Sequence, residues 1–336
     1  MDALVATVFK PNSSYKGFLN RSTLTSRNRE VFMKKDDALT GHLTALITVF
    51  IWGTTFISTK VLLRAFTPVE ILFLRFLAGF VALWIVCPKR LKIAERKQEL
   101  YFAAAGLSGV TLYFLMENIA LTYTFASNVG VVVTISPFFI ALLAHFFLDG
   151  EKLRIQFFVG FVVALTGIFL ISFNGSAVLK LNPVGDVLAV LAAISWAFYS
   201  VLTRKISNFG YNTIQTTRRA FFYGLLFMLP ALFFLDFNPD TAQLLVPVNL
   251  FNFLFLGLGA SAMCFVTWGA AVKMLGAVKT GVYIYAVPVI TVVTSALILR
   301  ERITGLAAFG TALTLAGLFI SESKRFSSPK EEVTHE

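Results

Sequence analysis

The sequence predicts an all-α membrane protein, with ten transmembrane helices arranged as two inverted five-helix repeats. Three observations carry that expectation. Apolar residues fall in runs of membrane-spanning length. Lys and Arg lie almost entirely on one side of those runs. A set of residues returns in the second half of the chain at nearly constant offsets.

The 336 residues are 57% hydrophobic and only 14% charged, with a mean hydropathy of +0.77. A soluble domain is about 45–50% apolar and about 25% charged, so a soluble fold of this length has nowhere to hide these side chains. Runs of about 20 apolar residues cross a hydrocarbon core of about 30 Å as helices. The strands of a β-barrel would be shorter and would alternate in polarity, which these runs do not.

Residues 1–40 are polar and basic, with no apolar core of a signal peptide, and read as a disordered or peripheral tail. Met33-Lys34-Lys35 stands as a natural start, which makes residues 1–32 a candidate extension outside the native protein. Span 1 covers 42–65. Span 2, 68–87, opens on Pro68 and carries Arg75-Phe76. The charged window 88–99 separates it from span 3, 100–122, which contains Glu117. A short polar connection from Tyr123 to Asn128 leads into span 4, 127–148, with Pro137 near its middle. Spans 5 to 10 follow at 155–173, 184–204, 212–235, 249–273, 277–299 and 304–322. Short connections make consecutive helices antiparallel neighbours.

With the N-terminus inside, the segments on that side hold 21 of the 29 Lys and Arg residues and the outside loops hold 4. This bias places both termini in the cytoplasm. The formal charge of +11 is therefore mostly topology rather than a nucleic-acid surface. Cys87 and Cys264 lie in or at the edge of apolar runs and read as packing residues.

Trp52, Lys60 and Arg75 return as Trp196, Arg204 and Arg219 at +144. Ala126, Gly130 and Pro137 return as Ala277, Gly281 and Pro288 at +151. Gly160 and Gly167 return as Gly310 and Gly317 at +150. Five spans per half is an odd number, so the second half enters the membrane upside down. Inverted repeats are a hallmark of secondary transporters, with the site near the midplane between the halves. This divides the chain into a tail (1–40), a first repeat (41–173), a second repeat (184–322) and a C-terminal tail (323–336).

The residues WGTTFISTK (52–60), the Pro68…Arg75-Phe76 opening of span 2, ALTYTFASNVGVVVTISPFFIALLAHFFLDGEKL (120–153) and its second copy GAVKTGVYIYAVPVITVVTSALILRERI (276–303) resemble the drug/metabolite transporter superfamily, EamA type, over residues 40–322. The resemblance implies a transporter of small metabolites, in many members an exporter of amino acids or their derivatives, and no enzyme. One departure is visible: Pro137 to Glu151 is one residue longer than Pro288 to Glu301.

Glu117 is the one carboxylate well inside an apolar run, where a lone charge is costly. It reads either as a proton-coupling or amine-binding group, or as the partner of Lys60 or Arg75. Its +151 counterpart is Trp268, so either role is asymmetric. Asn118 follows it about 100° round the helix. Arg75, paired with Arg219 in the repeat, can bind a substrate carboxylate, or hold Glu117 or helix-end carbonyls; the resemblance implies an Arg-Phe pattern that recurs irrespective of substrate, which favours the structural role. Pro137 and Pro288 free the carbonyls of Val133 and Ile284, which suits either a polar cavity wall or a packed kink. Mid-span Trp52 and Trp196 are either cavity wall or core. Tyr113, Trp268, Tyr283 and Tyr285 are further cavity candidates. Small faces at Gly160, Ala164 and Gly167, and at Gly310, Thr314 and Gly317, read as packing seams within a monomer or a homodimer. His145 is a proton relay or an interfacial histidine.

There is no Walker A motif, no HExxH and no Cys/His cluster, so no metal and no cofactor is implied. The expectation is a secondary transporter in the cell membrane, working by alternating access and exporting amino acids or related amines. Its partners are the bilayer, a small-molecule substrate and a proton. The alternative is a facilitator or channel-like uniporter without proton coupling.

Overall fold

The computed structural model describes residues 26–123, 129, 132–149, 155–172, 183–235, 237–290, 293 and 305–322. The chain divides into two units, 1–40 and 41–336. Of the first unit, residues 26–40 are described, and they are helical. The rest of this account concerns the second.

Among the described residues every regular element is a helix. Apart from the short helix Thr241–Leu245, they are α1 (Ser26–Leu62), α2 (Pro68–Val86), α3 (Gln98–Tyr123), α4 (Ser136–Phe147), α5 (Ile155–Ser172), α6 (Pro183–Ser207), α7 (Thr213–Phe234), α8 (Pro247–Leu275), α9 (Ala277–Ile290) and α10 (Gly305–Glu322). Six of them are long and apolar enough to cross a membrane: α1 over Ala38–Thr59, α2, α3, α6, α7 and α8. Helices α4, α5, α9 and α10 supply shorter apolar stretches. The chain is a multi-pass membrane protein.

Two expectations are corrected. Helix α1 begins at Ser26, inside the stretch read as a disordered or peripheral tail, and so removes the disordered reading for residues 26–40. No Pro lies between Ser26 and Leu62, so nothing in the backbone chemistry stops the helix earlier. Pro137 does not sit in mid-helix. A turn at Thr134 and Ile135 precedes α4, and Pro137 stands in its first turn, where a missing N–H leaves nothing unsatisfied. Pro288 has a related setting, just after the 3₁₀ turn Tyr283–Tyr285. Ala126, Gly130, Glu151 and the end of the ninth predicted span lie outside the described residues.

Local chemistry accounts for the helix ends. Thr67 and Glu70 form a capping box ahead of Pro68: Thr67 N–H donates to Glu70 Oε2 at 2.7 Å and Glu70 N–H to Thr67 Oγ1 at 3.4 Å. The other Glu70 oxygen accepts from Asn238 N–H at 3.0 Å, which ties the loop after α7 to the start of α2. Asn212 caps α7 through the N–H groups of Ile214 and Gln215. Gly276, at φ 93°, separates α8 from α9 by a single residue.

Glycines set the closest approaches. A Cβ on Gly160 would lie 2.5 Å from the Gly317 carbonyl oxygen, and one on Gly317 would lie 2.6 Å from that of Gly160. A Cβ on Gly167 would lie 2.5 Å from the Gly310 oxygen. Helices α5 and α10 therefore run antiparallel with their small faces together, and both predicted seams are used within one chain. Elsewhere Gly79 of α2 abuts the Gly257 oxygen of α8, and Gly106 of α3 abuts Ala220 and Gly224 of α7. Helices α3 and α8 each contain a π-helical segment, Leu107–Leu112 and Phe255–Met263. Widened turns of this kind are frequent at functional sites. Phe265 lies fully buried at the centre, with the rings of Phe221, Tyr199, Phe76 and Trp196 between 5.1 and 5.9 Å from its own.

Candidate functional site

A cavity with about 690 Å³ of empty space, its mouth included, lies among α1, α2, α3, α4, α6 and α9. Helical spacing builds its walls. Trp52, Thr55 and Thr59 follow one face of α1, and Phe114, Glu117, Asn118 and Leu121 follow one face of α3. Arg75 enters from α2, Trp196 from α6, Thr134 and Ser136 from the start of α4, and Ile284 and Val287 from α9.

Of the ten residues singled out in the sequence, the cavity brings together Trp52, Arg75, Tyr113, Glu117, Asn118 and Trp196. Pro137 and Pro288 do not line it. The residues just before them, Ser136 and Val287, do, because successive helical positions turn by about 100°. Val133 and Ile284, one turn before each proline, also line it. Trp268, Tyr283 and Tyr285 are buried outside the lining. Arg219 is elsewhere: its Nε donates to Glu99 Oε1 at 2.8 Å, and Tyr223 donates to the same oxygen. His145 is exposed near the end of α4. The side chain of Lys60 lies outside the described residues. Thr55, Thr59, Phe114, Leu121, Thr134, Ser136 and Val287 were missed. Counting i+3 and i+7 from Trp52, and i−3 and i+4 from Glu117, would have found the first four.

The site's charges are almost fully buried, Arg75 at 3% and Glu117 at 7% exposure. Arg75 Nε donates to Ser261 Oγ at 3.0 Å, in the π segment of α8. Its guanidinium carbon lies 4.5 Å from the centre of the Phe114 ring, within cation–π range. Tyr113 O–H donates to Glu117 Oε1 at 3.1 Å. The opposite charges of Arg75 and Glu117 attract each other. Asn118 Nδ2 donates to the Pro68 carbonyl at 3.3 Å. The arrangement offers a carboxylate with one oxygen engaged and a cation beside aromatic faces.

Aromatic rings floor the cavity. Trp52 lies 5.2 Å from Trp196 and 5.0 Å from Trp268 between ring centres, and Trp52 Nε1 donates to the Ala260 carbonyl at 3.1 Å. Beyond Trp52, toward the N-terminus of α1, Thr48 and Thr267 share a hydrogen bond of 2.6 Å and His42 and Tyr283 one of 2.5 Å. A second cavity, of about 440 Å³, lies among α3, α6, α7 and α8, lined by Tyr199, Thr203, Gly269 and Lys273 among others. Tyr199 and Thr203 are the +144 counterparts of Thr55 and Thr59, and Gly269 is the +151 counterpart of Asn118.

Comparison with known proteins supplies the family. An uncharacterized transporter of Archaeoglobus fulgidus is 29% identical over 290 residues, covering 84% of this chain and 98% of that one. A protein of Streptantibioticus cattleyicolor named "Probable terminal-alkyne amino-acid exporter" is 27% identical, covering 86% of this chain and 95% of its own. One of Escherichia coli K12 named "Probable amino-acid metabolite efflux pump" is 25% identical, with 82% and 93% covered. A solved crystal structure, 23% identical, superimposes with a TM-score of 0.68 over 84% of this chain and 96% of that one, and so shares the fold. The model of the EamA-like transporter family matches twice, over residues 39–173 and 183–322, and the chain belongs to that family.

Proposed function

We propose that this protein is a secondary transporter that exports amino acids or related amines across the cell membrane by alternating access, with a proton coupled through Glu117. The observation that carries the reading is the buried Glu117–Tyr113–Arg75 group on the wall of a mid-helix cavity. A carboxylate so placed can hold a substrate ammonium or a proton, and release of one on binding of the other couples the two.

The architecture behind the proposal is ten spans in two inverted halves, with both termini cytoplasmic. The reciprocal contacts of α5 with α10 support it: Gly160 meets Gly317 and Gly167 meets Gly310, although the repeat pairs Gly160 with Gly310. A pseudo-twofold axis between the helices would produce that exchange. The α2–α8 and α3–α7 contacts are related in a similar way: Gly257 is the +151 counterpart of Gly106, and Gly224 stands one residue past Tyr223, the +144 counterpart of Gly79. The second cavity carries counterparts of the first, as two mouths of one alternating path would. The names of the Streptantibioticus and Escherichia relatives support the substrate class.

Purified protein in liposomes loaded with an amino-acid mixture tests the reading, with internal loss followed by mass spectrometry under a pH gradient. Selective loss that requires the gradient and disappears in Glu117→Gln is the expected result. Loss that ignores both makes the protein a facilitator, and no loss of any amino acid removes the substrate class.

A further inference from the structure

Two polar groups on the cavity wall have no role in the site so far. Ser136 is fully buried, and its Oγ has no hydrogen-bond partner among the described residues. Trp196 is 3% exposed, and its Nε1 likewise has none. Both residues line the cavity, from the adjoining helices α4 and α6. Buried polar groups are nearly always paired, so each such exception calls for a partner. Trp268 Nε1 and Tyr285 Oη are also unpartnered, but neither residue lines the cavity.

The repeat makes the two exceptions more telling. Trp52 and Trp196 are counterparts at +144. Trp52 Nε1 is satisfied by the carbonyl of Ala260. The mirror-image acceptor for Trp196 is the carbonyl of Gly109, 151 residues before Ala260. There the Tyr199 ring lies against the backbone, so close that a Cβ on Gly109 would be 2.1 Å from its Cδ2. The Trp196 N–H has no acceptor among the described residues. The counterpart of Ser136 is Val287, which also lines the cavity but has no polar group. Both orphans sit where the two halves depart from each other. An indole N–H only donates, and a serine hydroxyl donates or accepts, so together they suit an acceptor.

From this, we propose that Ser136 Oγ and Trp196 Nε1 form a subsite for an oxygen acceptor of the cargo, its carboxylate, at a distinct point from the ammonium held by Glu117. The subsite rests on the amine-binding reading of Glu117 and adds a second anchor to it. The cargo then lies with its carboxylate toward α4 and α6. Its apolar part faces Val133, Ile284 and Val287. Arg75, already bonded to Ser261 and set against Phe114, positions Glu117 rather than gripping the cargo.

The test is isothermal titration calorimetry on the purified full chain in lipid nanodiscs. Each of the twenty proteinogenic amino acids is titrated first. For each binder, the matched amine lacking the carboxylate and the matched carboxamide follow. Ser136→Ala and Trp196→Phe each weaken the amino acid by about tenfold, the loss of one hydrogen bond to a charged group. They leave the matched amine within about twofold, because it has no acceptor to lose. Glu117→Gln weakens both. The carboxamide separates a neutral oxygen acceptor from a carboxylate: wild-type affinity for it comparable to that for the acid refutes the charge preference. Wild-type affinity of both variants for the acid overturns the subsite and leaves the hydroxyl and indole as packed wall with no role in binding. Equal weakening of acid and amine also overturns it, since cavity shape would then be the cause. If the wild type binds no amino acid and no amine, the amine reading itself has failed and the subsite falls with it, a result distinct from unchanged variants.

Discussion

Removing the Arg75 guanidinium leaves the Glu117 carboxylate buried, with the Tyr113 hydroxyl still bonded to it. Leaving a buried polar group without compensation costs about 1–3 kcal/mol, and more for a charge. Arg75→Ala is therefore expected to lower the melting temperature sharply in detergent. Arg75→Ala combined with Glu117→Gln is expected to recover most of the loss, and additive losses would show that the two charges are independent. Trp52→Phe makes a contrasting case. It keeps an aromatic floor but removes the bond to Ala260, at a cost of about 1 kcal/mol. The roles of these side chains were legible only in part. A lone Glu and an Arg in apolar runs stand out as soon as the sequence is read. That Ser261 receives Arg75 could not be read, because the two lie 186 residues apart.

At the scale of elements, glycine placement decides which helices meet. A Cβ on Gly317 would come within 2.4 Å of the Ala164 nitrogen, a backbone atom that cannot move aside alone. Gly317→Val is expected to destabilise the protein by about 3 kcal/mol, the upper range for overpacking. Gly305→Ala on the same helix meets nothing within 4 Å and should stay within about 0.5 kcal/mol. Thermal melts of both variants check the pair. Gly276→Ala should cost about 1–2 kcal/mol through its positive φ. The seams themselves were readable from small residues at helical spacing. Their partners were not, since a small face fits a second helix of the same chain as well as one of a second copy. The early start of α4 at Ser136 was also hidden, because a Pro in an apolar run signals a kink and a helix start alike.

For the molecule as a whole, a row of contacts joins α1 to the helices α8 and α9. His42–Tyr283, Thr48–Thr267 and Trp52–Trp268 succeed one another along α1, while Thr55 and Thr59 further on face the cavity. If the halves exchange access, this row must part. Thr48→Cys with Thr267→Cys, in a chain carrying Cys87→Ser, is expected to form a disulfide on oxidation, because the parent oxygens lie 2.6 Å apart. The crosslinked protein should lose transport, and reductant should restore it. Full transport in the crosslinked state would remove α1 from the moving parts.

The sequence by itself determined that the chain crosses the membrane repeatedly as helices, since hydropathy and run length are local properties of the residues. It also determined the family, and it marked Trp52, Arg75, Tyr113, Glu117, Asn118 and Trp196, because ionisable groups and tryptophans are conspicuous in apolar surroundings. Only the tertiary structure decided which of two neighbouring residues faces the cavity, as with Ser136 rather than Pro137 and Val287 rather than Pro288. Only it decided that Trp52 has a partner for its N–H and Trp196 does not. Those outcomes depend on helix rotation and on backbone atoms hundreds of residues distant, and no local pattern encodes either.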